Sequence, residues 1–393
     1  MYKVQTFNNI AEEGLKKLSD AGIETVQGSA DAIILRSHKL SVGEFGDSLK
    51  VIARAGAGTN NIPTSEATNK GIVVMNTPGA NANAVKELVI CGMLLASRGI
   101  VQGINFLNNS KISNDADLHQ SMESTKKAFK GSELEGKTLG IIGLGSIGSQ
   151  LAQASSHALG MKLIGYDPYI SIDAAWRLPR EVEKAETLEF LIRNSDFISI
   201  HIPLTEETKG FVSIKELTHC KKGATLINLA RQGIANELDV IQALKDGKLN
   251  RYVTDFPSPE LIQQNLEEDN VILLPHLGAS TQESEINCAM MAANQTLNFL
   301  REGTVKNSVN FPDIYLEPST GNRLIVINKN EPGMIGQIAD KIGAMNLNIN
   351  DMSNKSRDEV AINLIDLDET ISDECLRELN NIEHVITARK CYV

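Results

Sequence analysis

Three glycines and four polar side chains carry the chemical signal in this 393-residue chain. Gly143, Gly145 and Gly148 stand in G-x-G-x-x-G spacing within KTLGIIGLGSIG (137–148), after an apolar run of buried-strand type. In such a turn the first glycine permits a tight strand-to-helix reversal. The second lets backbone approach a pyrophosphate, and the third lets helix and strand pack closely. The helix expected over 147–158 offers free N–H groups and partial positive charge at its start. A second apolar strand (161–166) ends at Asp167, nineteen residues after Gly148. A carboxylate there accepts from the 2′- and 3′-hydroxyls of an adenosine ribose and repels a 2′-phosphate, so the predicted cofactor is NAD rather than NADP.

The polar residues are Arg231, Asp255, Glu260 and His276, three of them just after predicted strands. Moving a hydride from an alcohol C–H to a nicotinamide needs a base for the hydroxyl proton and a cation to fix the substrate. Histidine suits the proton because it ordinarily titrates near 6.5. A carboxylate beside it, such as Glu260, would hold the ring and favour the imidazolium that forms. Arg231 offers a planar fork matched to a carboxylate. Taken singly, each has an ordinary alternative. His276 can be a surface or capping histidine, Arg231 a turn arginine, and Glu260 a solvated carboxylate among Pro257, Ser258 and Pro259. His201, after another strand, reads as a pocket wall near the adenine.

The elements that must position these groups alternate strand and helix. Residues 1–95 give strands at 3–7, 32–35, 51–53 and 72–75, with a helix at 11–21 and a long one over 85–100. The glycine- and alanine-rich RAGAGTNN (54–61) leaves backbone N–H groups able to reach a ligand. After Asp167, strands at 197–200, 224–229, 252–254 and 271–274 alternate with helices at 188–193, 214–219 and 237–246. That repetition predicts a doubly wound parallel sheet with ligands at the carboxyl ends of its strands, where His201, Asn228, Arg231, Asp255 and His276 stand. The polar segment 102–135 reads as an arm packing on a second subunit, or as an exposed helix pair. A long amphipathic helix covers 280–301, and 317–321 reads as a linker. The remainder reads β-α-β-β-α-β, a small ferredoxin-like α+β domain. The expected fold class is α/β, with two doubly wound parallel-sheet domains plus this third domain. The expected boundaries are 1–97 with 280–312, then 98–279, then 320–393.

Composition limits the partners. A net charge of −11 and no Lys/Arg-rich block argue against nucleic acid. The longest apolar run is about half of what a bilayer crossing needs, and the N-terminus has no basic-then-apolar pattern. Cys91, Cys220, Cys288, Cys375 and Cys391 lack metal-ligand spacing, and their odd count fits reduced thiols. A cytoplasmic protein without a metal, working on a small molecule, is expected.

Four blocks in order, HIPLTEETKG (201–210), LINLARQG (226–233), TDFPSPE (254–260) and LLPHLGASTQES (273–284), resemble the D-isomer-specific 2-hydroxyacid dehydrogenases. The resemblance covers nearly the whole chain. It implies Arg231, Glu260 and His276 as catalytic, with Asp255 on the nicotinamide carboxamide. Ser146, Ile147, Asp167, His201 and Pro203 would meet the rest of the NAD, and backbone at Leu229, Ala230, Gly278 and Ala279 would line its nicotinamide side. RAGAGTNNI and NTPGANANAVKELVICGMLL are similar to the branch acting on 3-phosphoglycerate, in the first step of phosphorylated L-serine biosynthesis. That likeness implies Arg54, with Lys39, for the substrate phosphate, and N–H groups at Gly56 and Ala57 for its carboxylate. Arg54 tying its own loop down is the structural alternative. Such enzymes take substrate into a cleft that closes. The last domain resembles the ACT regulatory domain, which in this family often binds L-serine across a dimer interface. Asn330 and Asn348 match its amide ligands, whereas Asn328 stands where serine-inhibited bacterial enzymes carry histidine. A homodimer or homotetramer is implied. Other D-2-hydroxyacids or hydroxypyruvate, and a co-repressor-like module that binds NAD without catalysis, are the competing readings.

Overall fold

The computed structural model describes residues 2–110, 112, 114–317 and 321–392. Among them the strands form three sheets, of five, seven and four strands. The chain divides into two compact units, Met1–Asn81 with Gln282–Val393, and Ala82–Thr281.

In the first unit β1 (Lys3–Thr6), β2 (Glu24–Val26), β3 (Ala32–Leu35), β4 (Val51–Arg54) and β5 (Val73–Met75) lie in the order β2-β1-β3-β4-β5. Every pairing is parallel. β3 and β5 are buried along their whole length, as parallel strands covered on both faces are. The helix Gln282–Glu302 packs Ala289, Ala292, Ala293 and Phe299 into the core under this sheet.

The second unit holds β6 (Thr138–Ile142), β7 (Lys162–Tyr166), β8 (Val182–Lys184), β9 (Phe197–Ile200), β10 (Ala224–Asn228), β11 (Leu249–Thr254) and β12 (Val271–Leu273). Their order is β12-β11-β10-β9-β6-β7-β8, again all parallel. Strand order reverses between β6 and β9, the crevice where doubly wound sheets take their ligands. The short edge strands β2 and β8 escape the sequence reading because each carries a single apolar residue, Val26 or Val182, and so no apolar run.

The helix Ala82–Ser97 belongs to this second unit, so the expected boundary at 97 moves back to 81. The cause is packing. Val85, Val89 and Met93 join Leu139, Ile227 and Val253 in one core, and a Cβ on Gly92 would stand 2.9 Å from Val253. The segment 102–135 forms the helices Ile100–Asn108 and Asp115–Thr125, which leave Ile104 and Leu107 exposed.

The C-terminal sheet is antiparallel, with β13 (Asn322–Lys329), β14 (Ile349–Arg357), β15 (Val360–Leu367) and β16 (Val385–Tyr392) in the order β14-β15-β13-β16. Helices Met334–Ala344 and Asp373–Asn380 cover one face through Ile338, Ile342 and Leu379. The other face brings Ile325, Ile327, Ile362 and Leu364 against Phe299 and Leu300, so the sheet is part of the first unit. Arg323, fully buried, locks this join. It forms a bidentate pair with Asp366 (2.6 and 2.8 Å) and donates to the carbonyls of Glu302 and Leu316. Of the expected linker 317–321, residues 318–320 lie outside the described residues. Among the described residues no helix is long and apolar enough to cross a membrane.

Candidate active site

The cofactor turn starts where buried β6 ends. Gly143 has φ 90°, and its N–H donates to the Tyr166 carbonyl at 2.9 Å. A Cβ on Gly143 would sit 2.7 Å from the His201 carbonyl oxygen, and one on Gly148 would sit 2.1 Å from that of Gly143. The helix Ser146–His157 therefore begins closer to the strand than a side chain permits. Gly145 is different: among the described residues, its chain neighbours aside, no atom lies within 4 Å of where its Cβ would stand. Open space there, beside the unpaired first N–H groups of the helix at Ser146 and Ile147, fits a pyrophosphate by room and by charge.

Asp167 follows β7 and is pinned beside this turn. Its Oδ2 accepts the Leu144 N–H at 2.8 Å and its Oδ1 the Tyr169 N–H at 3.0 Å. Each oxygen keeps a second lone pair for a ribose hydroxyl. After β9, the His201 ring shares a hydrogen bond with the Ser199 hydroxyl through Nε2 (2.8 Å). Its Nδ1 is buried with no partner among the described residues, and burial pushes the imidazole down to about 4. His201 is thus a neutral wall residue at physiological pH. Pro203 is exposed, its carbonyl accepting the Thr208 hydroxyl at 2.6 Å.

The ends of β10, β11 and β12 carry the reactive groups. Asn228 is buried and holds the turn after β10, donating to the Arg231 carbonyl (2.9 Å) and accepting the Ala230 N–H (3.2 Å). Leu229 is buried, while the Arg231 guanidinium reaches solvent and donates through Nη1 to the Ala230 carbonyl at 2.7 Å. Asp255, after β11, is 2% exposed. Its Oδ2 accepts the Gly278 N–H at 2.8 Å, and its Oδ1 is buried without a partner among the described residues. Burial raises this carboxyl above the ordinary carboxylate range, opposed by the Gly278 bond and by the charges of His276 and Arg231.

His276 has φ 52°, and its N–H bonds the Asp255 and Leu274 carbonyls at 3.1 Å each. Its exposed ring meets Phe256 edge to face at 5.2 Å. Ala279 follows Gly278, half-buried. Arg231, Asp255, His276 and Gly278 therefore gather at one end of the sheet, around a buried carboxyl oxygen still able to accept a hydrogen bond.

Glu260 is not part of that group by contact. It lies exposed in the first turn of the helix Pro259–Glu268, and among the described residues no hydrogen bond or ion pair joins it to His276. The expected imidazole–carboxylate pair is thus not formed in this state. A carboxylate so placed is favoured by the helix N-terminus, and the His276 ring packs on Phe256 instead. Ser258 caps the helix, accepting from the Leu261 N–H, and Pro259 starts it. That Ser-Pro pair is a readable helix start that the loop reading of this stretch passes over. Tyr252 goes unnoticed in the sequence too. Its buried hydroxyl is pushed up to about 12 by burial, opposed by the neighbouring Thr254 and Asn228 side chains.

In the first unit the Arg54 guanidinium donates through Nε to the Arg36 carbonyl (3.0 Å) and through Nη1 to that of Gly58. Arg54 thus does bind down its own loop. The Gly56 N–H is taken by the Arg54 carbonyl at 2.9 Å, whereas the Ala57 N–H donates to no acceptor among the described residues. Lys39 is exposed. Asn330 and Asn348 are both exposed, donating to the Asp358 carbonyl and to Asn350 Oδ1. Among the described residues no three His, Cys, Asp or Glu side chains cluster as a metal site.

The family model described as D-isomer specific 2-hydroxyacid dehydrogenase, NAD binding domain, matches residues 90–278. The D-3-phosphoglycerate dehydrogenase of Methanocaldococcus jannaschii is 37% identical over 331 residues, which are 80% of this chain and 60% of that protein. The protein of the same name from Haemophilus influenzae is 32% identical over 343 residues, 85% of this chain and 79% of that one. The crystal structure of NAD⁺-bound 3-phosphoglycerate dehydrogenase from Entamoeba histolytica superposes with a TM-score of 0.63 at 31% identity, covering 79% of this chain and 98% of that one. The chain spans less than two thirds of the length of several curated relatives that it matches. The matched domain is an NAD-binding one, and the glycine turn and Asp167 fit that cofactor. The chain belongs to the D-isomer-specific 2-hydroxyacid dehydrogenase family.

Proposed function

We propose that this protein oxidises D-3-phosphoglycerate to 3-phosphohydroxypyruvate with NAD, the first step of phosphorylated L-serine biosynthesis. The observation that carries this reading is the buried Asp255, with its unpartnered Oδ1 and the charges of Arg231 and His276 acting on it. When bound, NAD supplies the hydride acceptor. The Gly145 turn, Ser146 and Ile147 would hold its pyrophosphate, Asp167 its ribose, and Asp255 Oδ1 its carboxamide N–H. Neutral His276 takes the C2 hydroxyl proton of the substrate. Arg231 fixes the substrate carboxylate and C2 oxygen through its planar fork. Glu260 comes to support the imidazolium in the substrate complex, since such catalytic contacts are often long until substrate binds. We assign the substrate phosphate to Arg54 and Lys39, and its carboxylate also to the Ala57 N–H.

The C-terminal module is read as an ACT-type regulatory domain, supported by its β-α-β-β-α-β order and antiparallel pairing. L-serine is its proposed effector, held by Asn330 and Asn348. Asn328 is committed inside the sheet, accepting from Asn363 (2.8 Å) and donating to the Lys329 carbonyl. It offers no exposed counterpart to the histidine of the serine-inhibited enzymes. A cytoplasmic homodimer or homotetramer is the proposed assembly, with Ile104 and Leu107 as apolar surface for a second copy. The test is NADH absorbance at 340 nm with 3-phosphoglycerate, D-glycerate and D-lactate, each with and without serine. Turnover of 3-phosphoglycerate at least tenfold above the others supports the substrate. Turnover of none of them overturns the reading.

A further inference from the structure

We propose that a cavity in the first unit, away from the residues assigned above, binds a small polyanion carrying carboxylate or phosphate groups. The cavity has a volume of about 510 Å³ and is lined by Lys50, Arg301, Arg389 and Lys390, with Asp31 the one acid among the described lining residues. That volume is in the range of small-ligand pockets, roughly 300–1,000 Å³.

Arg389, on β16, is the central observation. Its guanidinium carbon lies 4.4 Å from the ring centroid of Phe299, so one face is covered by an aromatic ring. Both Nη1 and Nη2 are buried and have no hydrogen-bond partner among the described residues. A buried guanidinium without acceptors is costly, and native structures supply one. The acid among the described lining residues is Asp31, but its oxygens are already engaged by the Lys50 ammonium and by the Lys3 N–H (2.9 Å). Among the described residues Tyr2 and Cys391 are the other ionisable groups acting on Arg389, and burial holds the Cys391 thiol in its neutral form.

The neighbouring cations are held in place. Arg301 donates to the Ala21 carbonyl at 2.6 Å, Lys50 is fixed by Asp31, and Lys390 lies 3.4 Å from Asp373. Asp31 answers Lys50 and Asp373 lies by Lys390, so Arg301 and Arg389 are the two lining cations that no carboxylate among the described residues meets. A polyanion would meet both, and the free edge of Arg389 matches a carboxylate or phosphate in two-point fashion. The walls come from the first parallel sheet, the helix Gln282–Glu302 and the C-terminal module. An occupant therefore fastens that module to the rest of its unit.

The test uses the full chain, melting temperature and calorimetric heat, with sodium citrate, sodium phosphate and sodium chloride at matched ionic strength. The expected result is a saturable rise in Tm with citrate or phosphate that chloride does not give. Whichever of the two saturates identifies the class. Arg389→Met should weaken that binding at least tenfold, and Arg301→Gln, at the exposed rim, several-fold. The second variant serves if the first fails to fold. Equal responses to all three salts, or an undiminished response in both variants, would overturn the proposal. Neither readout depends on dehydrogenase activity.

Discussion

Two glycine-to-alanine changes, three residues apart, should separate room for the protein from room for the cofactor. At Gly148 an added Cβ stands 2.1 Å from the Gly143 carbonyl oxygen, more than 1 Å inside an ordinary contact of 3.4 Å. The turn cannot retreat, because Gly143 is itself backed by His201 backbone. The helix must move instead, and Gly148→Ala should cost about 1–3 kcal/mol of stability, as overpacked cores do. At Gly145 the added Cβ meets no atom of the described residues within 4 Å, its chain neighbours aside, and its φ of −67° suits alanine. Gly145→Ala should leave Tm unchanged. The methyl group, however, fills the space assigned to the pyrophosphate and pushes it back from the helix N–H groups. Losing two hydrogen bonds to a charged group, even in part, amounts to about 3 kcal/mol, or about 10²-fold in affinity. Scanning calorimetry and isothermal titration with NAD⁺ read the two effects independently. A Gly145→Ala protein that binds NAD⁺ as tightly as wild type would refute the placement of the cofactor over this turn.

Other consequences follow from charge and burial. His201 is neutral when folded and free to protonate when unfolded. Its contribution is therefore complete above pH 6.5 and is lost as pH falls from 6.5 towards 4. The loss is at most about 3 kcal/mol, and acid titration of stability should show His201→Gln without that part of the decline. Asp255 has the opposite sign, because burial penalises its charged form. Asp255→Asn keeps an acceptor for the Gly278 N–H, so Tm at pH 7 should rise slightly while activity falls, as paired calorimetry and NADH assays would show. Arg323→Met leaves Asp366 buried opposite an apolar group. Denaturant unfolding should report a loss of about 3–5 kcal/mol.

Long-period features were legible in the chain. The glycine spacing, the alternation of apolar runs and helical segments, and the β-α-β-β-α-β order are all present in the fold, the last with strand ends shifted by three residues or fewer at most positions. These are local patterns imposed by backbone geometry and by one buried face. What escaped was set by tertiary packing. The helix Ala82–Ser97 reads the same whichever sheet it covers, and the packing of Val85, Val89, Gly92 and Met93 against Leu139, Ile227 and Val253 assigns it to the second unit. Neither the positive φ of His276 nor the contact of its ring with Phe256 leaves a mark in LLPHLGASTQES. Asn228 shows as a polar strand end, but its grip on both Ala230 and Arg231 is visible only once the turn is closed. Arg389 reads as one of many strand arginines until Phe299 and the cavity are placed around it.

The central claim is that His276 moves the hydroxyl proton while Arg231 holds the substrate. Steady-state NADH formation from 3-phosphoglycerate by His276→Asn, beside wild type, tests it most directly. A fall in kcat of about 10²–10⁴-fold, with KM little changed, is the predicted result. A variant that keeps kcat within a few-fold of wild type would contradict it.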